Sequence, residues 1–408
     1  MTEVAVIGAG FVGLAIAHRL AGEGRDVVLI DPADPGSGAS YGNAGTVADY
    51  AVLPVGTPDV LKNLPSLLFD RNSPLAIRPG ALLSLAPWLL RFARQSLPGA
   101  ARRNSQAIAA LLANATPLWS DLASEIGGAD LLRKRGCLYA YEKPKTFAAA
   151  GADRDYRRSF GVEMELLGPD ELRQMEPGLP EVAGAAYFPK AIFFADPGQM
   201  TARLAAATMA KGVTHLRTRV DRLERQPKGV RLTGPGLDLT AARVVLAAGA
   251  HSKKLAAMAG DRVPLDTERG YHLEWDMASL PLSRPTCPTT RGFYLCPMSG
   301  RLRAAGTVEL GGLTAPPSPH RLKRLEEGVR AWFPELPPPD RSWMGFRPSM
   351  PDSLPVIGAG RLGPEVIHAY GHGHIGLTLA PITARIVADI IGNRAPEVEI
   401  APYRATRF

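Results

Sequence analysis

The sequence predicts an α/β fold, in which a Rossmann-like dinucleotide-binding domain is assembled from separated segments and a second domain of mixed and antiparallel sheet is inserted between them. Three observations lead to this prediction. Residues 4–31 contain an apolar run, a glycine-rich turn, a helical pattern and a second apolar run, in that order. An alternating helix and strand pattern returns at 196–250 and again at 352–391, whereas 269–310 consists of strand-like runs separated by turns.

The bulk composition is that of an ordinary globular protein with room for two domains. The chain has 408 residues, of which 46% are hydrophobic and 21% charged. Its net charge of +8 is spread along the sequence without a basic block. This distribution argues against nucleic acid and favours small anionic ligands. The three cysteines have no metal-binding spacing, so no metal site is predicted, and they suit a reducing compartment. With neither a signal peptide nor a membrane-spanning run recognised, a cytoplasmic protein is expected.

The first forty residues contain the βαβ unit that predicts dinucleotide binding. The strand Val4–Ile7 leads directly into Gly8, Gly10 and Gly13, and the following strand ends on Asp31. Gly8 permits a tight turn, Gly10 lets a pyrophosphate approach the backbone, and Gly13 lets the helix pack on the strand. The pyrophosphate is expected at the helix N-terminus and the ribose at Asp31. The motif by itself does not separate FAD from NAD.

The segment that follows is apolar and rich in proline between residues 59 and 98. It is interpreted as short helices packed on the second domain, with a peripheral membrane contact as the alternative. A single long helix is expected at 101–126, ended by Gly127 and Gly128. The residues expected to share one helix face in the apolar segment are Leu82, Leu85, Leu89 and Phe92.

Beyond these patterns, the chain resembles the D-amino-acid oxidase and glycine oxidase family of FAD enzymes, most nearly the bacterial D-amino-acid dehydrogenase branch. The resemblance covers nearly the whole chain and implies an FAD-binding domain of the glutathione-reductase type. It implies FAD-binding segments at 1–50, 168–262 and 345–408, and a substrate domain formed by 51–167 and 263–344. The motifs that carry it are VAVIGAGFVGLAIA, SYGNAG, DPGQMTARLA, VVLAAGAHS, ERGYHLEW, SGRLRAAGTVE, WMGFRPSMPDSLPVIG and YGHGHIGLTLAP.

The resemblance assigns cofactor contacts at four places besides the glycine turn. A loop of small residues passes close to the flavin, a valine backbone contacts adenine, a strand end lies beside the cofactor, and a glycine-rich loop begins a helix that faces the flavin pyrimidine ring. A helix N-terminus there would stabilise the negative charge of the reduced flavin. The residues are Ser40, Asn43, Ala44 and Gly45; Val220, expected within a strand; Ala248 and Gly249; and Gly371, His372, Gly373, Ile375, Gly376, Leu377 and Thr378.

Four further residues are implied at the substrate. Arg347 matches the arginine that binds the substrate carboxylate, for which the planar guanidinium is well suited. Tyr294 matches a tyrosine that lines the substrate, with a sheet tyrosine as the alternative. His272 could face the flavin or the substrate, or be a core residue. His374 stands where glycine oxidase has an arginine, and could bind a second acidic group, tune the flavin or hydrogen-bond within its loop.

The activity implied is FAD-dependent oxidation of an amino acid, either a D-amino acid or a glycine-like one. Hydride passes from Cα to flavin N5, and the imine is hydrolysed to a 2-oxo acid. The acceptor is oxygen, a quinone or an electron carrier. Oxidation of a secondary amine or imino acid is the first alternative, and a flavoprotein subunit of an electron-transfer assembly the second. FAD is expected to bind noncovalently, because Gly345 stands about where a relative has a flavin-linked cysteine.

Overall fold

The computed structural model of the chain describes residues 1–62 and 75–408. Within these ranges the helices are α1 (Phe11–Gly22), α2 (Pro58–Lys62), α3 (Leu82–Gln95), α4 (Pro98–Leu112), α5 (Ala115–Glu125), α6 (Pro144–Arg158), α7 (Pro169–Met175), α8 (Pro197–Ala210), α9 (Ser252–Met258), α10 (Pro319–Arg330) and α11 (Gly376–Ile391). The strands are β1 (Thr2–Ile7), β2 (Val27–Ile30), β3 (Thr46–Val47), β4 (Leu75–Ile77), β5 (Leu132–Arg133), β6 (Cys137–Tyr141), β7 (Glu165–Leu167), β8 (Gly184–Phe188), β9 (Ile192–Phe194), β10 (Thr214–Leu216), β11 (Arg222–Gln226), β12 (Gly229–Gly234), β13 (Leu237–Leu246), β14 (Asp266–Asp276), β15 (Thr286–Pro288), β16 (Phe293–Met298), β17 (Arg301–Leu310), β18 (Arg341–Ser349), β19 (Val356–Gly360) and β20 (Gly363–Tyr370).

The first sheet has a parallel centre built from distant parts of the chain. Its parallel strands run in the order β10, β2, β1, β13 and β20, and β11, β12 and β19 add antiparallel pairs. β2 along its whole length and β1 from Val4 to Ile7 are apolar and buried, as expected for a parallel sheet covered on both faces. α1 and α11 pack together against this sheet and share one apolar core with it. The α/β prediction is confirmed by this architecture.

The second sheet is mixed, and among the described residues it has nine strands. Its main path runs β18, β14, β17, β16, β15, β6, β8 and β7, and β4 pairs with β17. β14 lies between β17 and β18 with antiparallel pairing on both sides. Residues 184–188 and 345–349 pair in this sheet, although the predicted boundaries assign both ranges to the FAD-binding domain. The division into two domains remains a proposal, and these two ranges belong with the second sheet because their backbones pair there.

Three local predictions need correction. The single helix expected at 101–126 is two helices, α4 and α5, because the backbone leaves the helical conformation at Asn114 (φ −114°, ψ 18°). Val220 lies before β11 rather than in a strand, because pairing with β12 begins only at Arg222. In α3, Leu85, Leu89 and Phe92 share the buried face as predicted, but Leu82 is 46% exposed and Trp88 joins that face. The part of the apolar segment at 63–74 lies outside the described residues.

No helix in the described ranges is long and apolar enough to cross a membrane.

Candidate cofactor and active site

At two positions of the glycine turn after β1, no residue larger than glycine fits. A Cβ on Gly13 would lie 1.8 Å from the carbonyl oxygen of Gly8, and a Cβ on Gly8 would lie 2.4 Å from that of Ala247. Gly8 also has a φ of +107°, which side chains rarely allow. The turn therefore lets α1 begin directly against the ends of β1 and β13, as a bound pyrophosphate requires.

Polar groups gather around the start of α1. The backbone N–H of Phe11, the first helical residue, donates to Ser40 Oγ at 2.9 Å. Asn43 holds the loop in shape, since its Oδ1 accepts from the N–H of Gly45 at 2.7 Å and its amide donates to the carbonyl of Ser40. A hydroxyl and a helix N-terminus thus lie together where a dinucleotide phosphate would bind. This arrangement fits the predicted roles of Ser40 and Asn43.

Asp31 is positioned at the end of β2 by the backbone. Its Oδ2 accepts from the N–H of Ala9 at 2.8 Å, and its Oδ1 accepts from the N–H of Ala33 at 2.9 Å. The carboxylate is therefore fixed beside the glycine turn, and each oxygen keeps a second lone pair for a ribose hydroxyl. Ala248 and Gly249 lie just beyond the end of β13, on the other side of the turn.

The glycine-rich loop before α11 crosses the end of β18. The N–H of Gly373 donates to the carbonyl of Pro348 at 2.8 Å, and Gly371 has a φ of +82°. His372 is 3% exposed, its Nε2 lies 3.0 Å from Thr383 Oγ1, and burial lowers its pKa to about 3. His372 is therefore a neutral anchor of the loop.

The first turn of α11 is also fastened to the rest of the protein. The carbonyl of Leu377 accepts from the indole N–H of Trp119 at 2.8 Å, and Thr378 Oγ1 accepts from the N–H of Ala48 at 3.0 Å. These bonds hold the N-terminus of α11 next to the loop 40–48. Ala44 and Gly45 lie in that loop, so the structure brings two of the predicted cofactor segments together.

Arg347 occupies one face of the second sheet with its guanidinium held in place. Its Nη1 donates to the carbonyl of Thr307 at 2.9 Å. The guanidinium lies over Gly270 of the neighbouring strand, where a Cβ would be 2.3 Å from Nη2. Thr307 itself has a φ of +56°, an uncommon conformation for a β-branched residue, which turns its carbonyl toward the arginine. These contacts position Arg347 without neutralising its charge.

Glu268 and His374 lie next to Arg347. Glu268 stands directly opposite Arg347 in the pairing of β14 with β18, so their side chains share a face. Glu268 and His374 line the same cavity. The side chain of His374 is exposed in this cleft, while the surrounding protein and then the charge of Arg347 hold its pKa below the usual value. A neutral imidazole carries no positive charge that could bind a second acidic group of a substrate.

His272 lies beneath the loop of small residues rather than in the open cleft. Its Nδ1 is 3.1 Å from the carbonyl oxygen of Gly42, so Nδ1 carries the proton and donates. The ring stacks on Trp343 at 5.1 Å, and burial together with the charge of Arg303 lowers the pKa of His272 to about 4. The structure therefore makes His272 a neutral support for the loop.

A buried ionic network below this loop was missed by the sequence interpretation. Arg303 donates to the carbonyls of Tyr41 and Asn43 at 3.0 and 2.7 Å. Glu274, 1% exposed, binds Arg303 and also Arg301. Burial opposes ionisation of Glu274, but these arginines and a third on β18 still lower its pKa to about 2. The sequence feature that could have indicated this network is the presence of charged residues inside otherwise apolar strands.

Tyr294 lies in an aromatic cluster beside the same sheet face. Its hydroxyl is 2.6 Å from that of Tyr139, and burial followed by the nearby Tyr139 raises the pKa of Tyr294 well above its usual value. In the sheet register, Tyr294 pairs with Ala305, and Ala305 pairs with His272. Tyr294 therefore lies in the same cross-strand row of the sheet as His272. Its hydroxyl is hydrogen-bonded within the sheet. The described residues contain no cluster of metal-binding side chains.

The glycine turn and the fixed Asp31 are the features of a dinucleotide-dependent oxidoreductase, and the sheet face that carries Arg347 lies beside the loops expected to hold the cofactor. The chain belongs to the FAD dependent oxidoreductase family, whose model matches residues 3–390. The cofactor is therefore FAD, and the chain is an FAD-dependent enzyme. The residues around the turn fit that cofactor, since the space at Gly8 and Gly13 and the donors around Ser40 are those a dinucleotide needs.

Several known proteins are similar over the full length of the chain. A D-amino-acid oxidase from Bradyrhizobium diazoefficiens is 36% identical over 427 residues, covering 100% of this chain and 99% of the relative. D-amino acid dehydrogenase 2 from Ralstonia nicotianae is 32% identical, covering 99% of this chain and all of the relative. The crystal structure of glycine oxidase from Geobacillus kaustophilus superposes with a TM-score of 0.78 at 24% identity, covering 100% of this chain and 98% of that one.

Proposed function

We propose that this enzyme oxidises the Cα–N bond of an α-amino acid to an imine, which water converts to a 2-oxo acid. The observation that carries the proposal is the position of Arg347, held over Gly270 by the carbonyl of Thr307 on the sheet face beside the cofactor loops. An arginine so held offers a planar pair of donors to a carboxylate. The names of the relatives, D-amino-acid oxidase and D-amino acid dehydrogenase, support the D-configuration.

The roles of the protein groups follow from this geometry. When bound, FAD accepts a hydride from the substrate carbon. Arg347 binds the substrate carboxylate and fixes the direction of the Cα–H bond, which contributes to the rate by orientation. Ser40, Asp31 and the glycine turn hold the dinucleotide. The N-terminus of α11 supplies a positive dipole end close to the cofactor loops.

The residues that line the cleft help to distinguish between candidate substrates. The lowered pKa of His374 disfavours a substrate with a second carboxylate, because a neutral imidazole carries no positive charge to bind it. Apolar side chains also line the cavity beside His374, which suits an apolar substrate side chain. The apolar members of this lining are Ala51, Leu53, Val55, Ile108, Met350 and Ile375.

The electron acceptor, the cellular location and the covalent state of FAD stay predictions. The expected acceptor is still oxygen, a quinone or another electron carrier. A cytoplasmic location and noncovalent FAD are also still expected. A peripheral membrane contact through 59–98 is consistent with two exposed leucines on α3, Leu83 at 90% and Leu90 at 73% exposure. Flotation of the purified protein with anionic vesicles tests that contact.

The proposed function is tested by anaerobic reduction of the FAD-loaded protein. D-amino acids, L-amino acids, glycine and N-alkylated or cyclic imino acids are added in parallel, and loss of the flavin absorbance is followed. We expect primary D-amino acids to reduce the flavin and Arg347→Ala to lose this reactivity at low substrate. Reduction by secondary amines alone would transfer the assignment to imino-acid oxidation. Failure of every amine to reduce a fully loaded protein would refute the proposal.

A further inference from the structure

Glu268 is a buried carboxylate at the proposed substrate site that has no part in carboxylate binding. It is 5% exposed and lies opposite Arg347 in the register of β14 and β18. Opposite side chains on such a pair have Cβ atoms about 4.5–5.5 Å apart. Glu268 therefore presents a carboxylate next to the guanidinium expected to hold the substrate.

The side chain of Glu268 lines the cavity beside Arg347. The charged and titratable groups that face it are Arg347 from β18 and, across the cavity, His372 and His374 from the loop before α11. Among the described residues that line this cavity, Glu268 is the one carboxylate. Burial raises its pKa, while Arg347 and a hydrogen bond from Ser349 act in the opposite direction. The geometry thus places one carboxylate beside Arg347 at the wall of this cavity.

An acid in this position is unfavourable for binding a carboxylate alone. It repels the substrate carboxylate and competes for Arg347. The same acid is favourable for an amino acid, whose ammonium group is attached to the carbon that bears the carboxylate. That ammonium must lose a proton before oxidation, because the nitrogen lone pair has to be available to form the imine.

We propose that Glu268 binds the α-ammonium group of the substrate and accepts its proton, while Arg347 binds the carboxylate. In this step an N–H bond of the ammonium breaks and an O–H bond forms on a carboxylate oxygen of Glu268. The substrate becomes the neutral amine and Glu268 the neutral acid, with no change in oxidation state. The inference rests on the proposed function, since it concerns the same substrate at the same site.

Two unreactive ligands test the inference by binding. 2-Aminoisobutyrate has the amine and carboxylate of an amino acid but no Cα–H, and isobutyrate has only the carboxylate. Both are titrated into the oxidised, FAD-loaded protein, and the change in the flavin spectrum gives the dissociation constants. In the unmodified protein we expect 2-aminoisobutyrate to bind at least about tenfold more tightly, the effect of one charge-assisted contact. Equal affinity would overturn the inference without any variant.

The variant Glu268→Gln separates the two ligands further. It should weaken 2-aminoisobutyrate by about tenfold or more and leave isobutyrate unchanged or tighter. With a reactive amino acid at saturation, flavin reduction by this variant should rise about tenfold per pH unit toward the pKa of the free ammonium, because only the neutral amine reacts. Glu268→Asp should restore part of both properties. Glu224→Gln, on the exposed strand β11, is the matched control.

The outcomes distinguish this inference from the proposed function. If amino acids reduce the flavin but Glu268→Gln retains the affinities and pH profile of the unmodified protein, the role of Glu268 is refuted and the proposed function stands. If neither ligand binds and no amino acid reduces the flavin, the proposed function fails and this inference fails with it.

Discussion

The substitution Gly270→Ala should displace Arg347 without altering its charge. The added Cβ would lie 2.3 Å from Nη2, 2.4 Å from Cζ and 2.7 Å from Nη1 of Arg347. Gly270 pairs with Gly345 of β18, which holds its backbone on that side, so we expect the guanidinium to move instead. The bond from Arg347 to the carbonyl of Thr307 is then lost or lengthened.

The size of the effect follows from the contact that is lost. A hydrogen bond to a charged group is worth about 1.5–3 kcal/mol. If the displaced guanidinium keeps one of its two bonds to the substrate carboxylate, kcat/KM should fall by about 10- to 150-fold. FAD binding should not change, because the glycine turn and Asp31 follow strands of the first sheet, whereas Gly270 lies in the second.

Steady-state kinetics and flavin content are the measurements. Gly151→Ala is the control, since a Cβ there meets nothing within 4 Å and alanine is favoured in a helix by roughly 0.5–1 kcal/mol. Urea unfolding of both variants shows whether Gly270→Ala is folded. The reasoning is refuted if Gly270→Ala keeps the kcat/KM of the unmodified enzyme while Arg347→Ala loses it.

Three other perturbations have defined outcomes. Gly13→Ala should purify with little FAD, measured by the ratio of flavin to protein absorbance, because its Cβ would lie 1.8 Å from a carbonyl oxygen; full flavin content would contradict the packing of α1. Glu274→Gln should lower the free energy of unfolding by about 3–5 kcal/mol in urea, because buried arginines lose their counter-charge; an unchanged midpoint would contradict this. His272 and His372 have pKa values lowered to about 4 and about 3, so the unfolded chain binds more protons below pH 6.5. The contribution of these histidines to the free energy of unfolding is therefore fully present above pH 6.5. It should fall toward pH 4 by up to about 1.4 kcal/mol per pH unit for each histidine, which urea unfolding across that range would measure.

The sequence was sufficient where the determining contacts are local. The spacing of Gly8, Gly10 and Gly13 between two apolar runs specified the βαβ unit, because turn, helix start and strand lie within thirty residues. Such features depend on neighbours in the chain and can be predicted from composition and spacing.

Features that depend on distant partners were not predictable in this way. The pairing of 345–349 with β14 depends on residues more than seventy positions away, so no local pattern of the sequence indicated it. The network around Glu274 joins three strands and the loop at 41–43, and no local pattern marks it as a network. The role of His272 as a support for that loop likewise depends on the carbonyl of Gly42.

A single anaerobic turnover tests the central claim most directly. The FAD-loaded enzyme is mixed with a D-amino acid, and the flavin reduced and the 2-oxo acid formed are quantified together. We predict one 2-oxo acid for each flavin reduced, and a much slower reaction of Arg347→Ala at low substrate concentration. Flavin reduction without a 2-oxo acid, or an Arg347→Ala variant as fast as the unmodified enzyme at low substrate, would contradict the account.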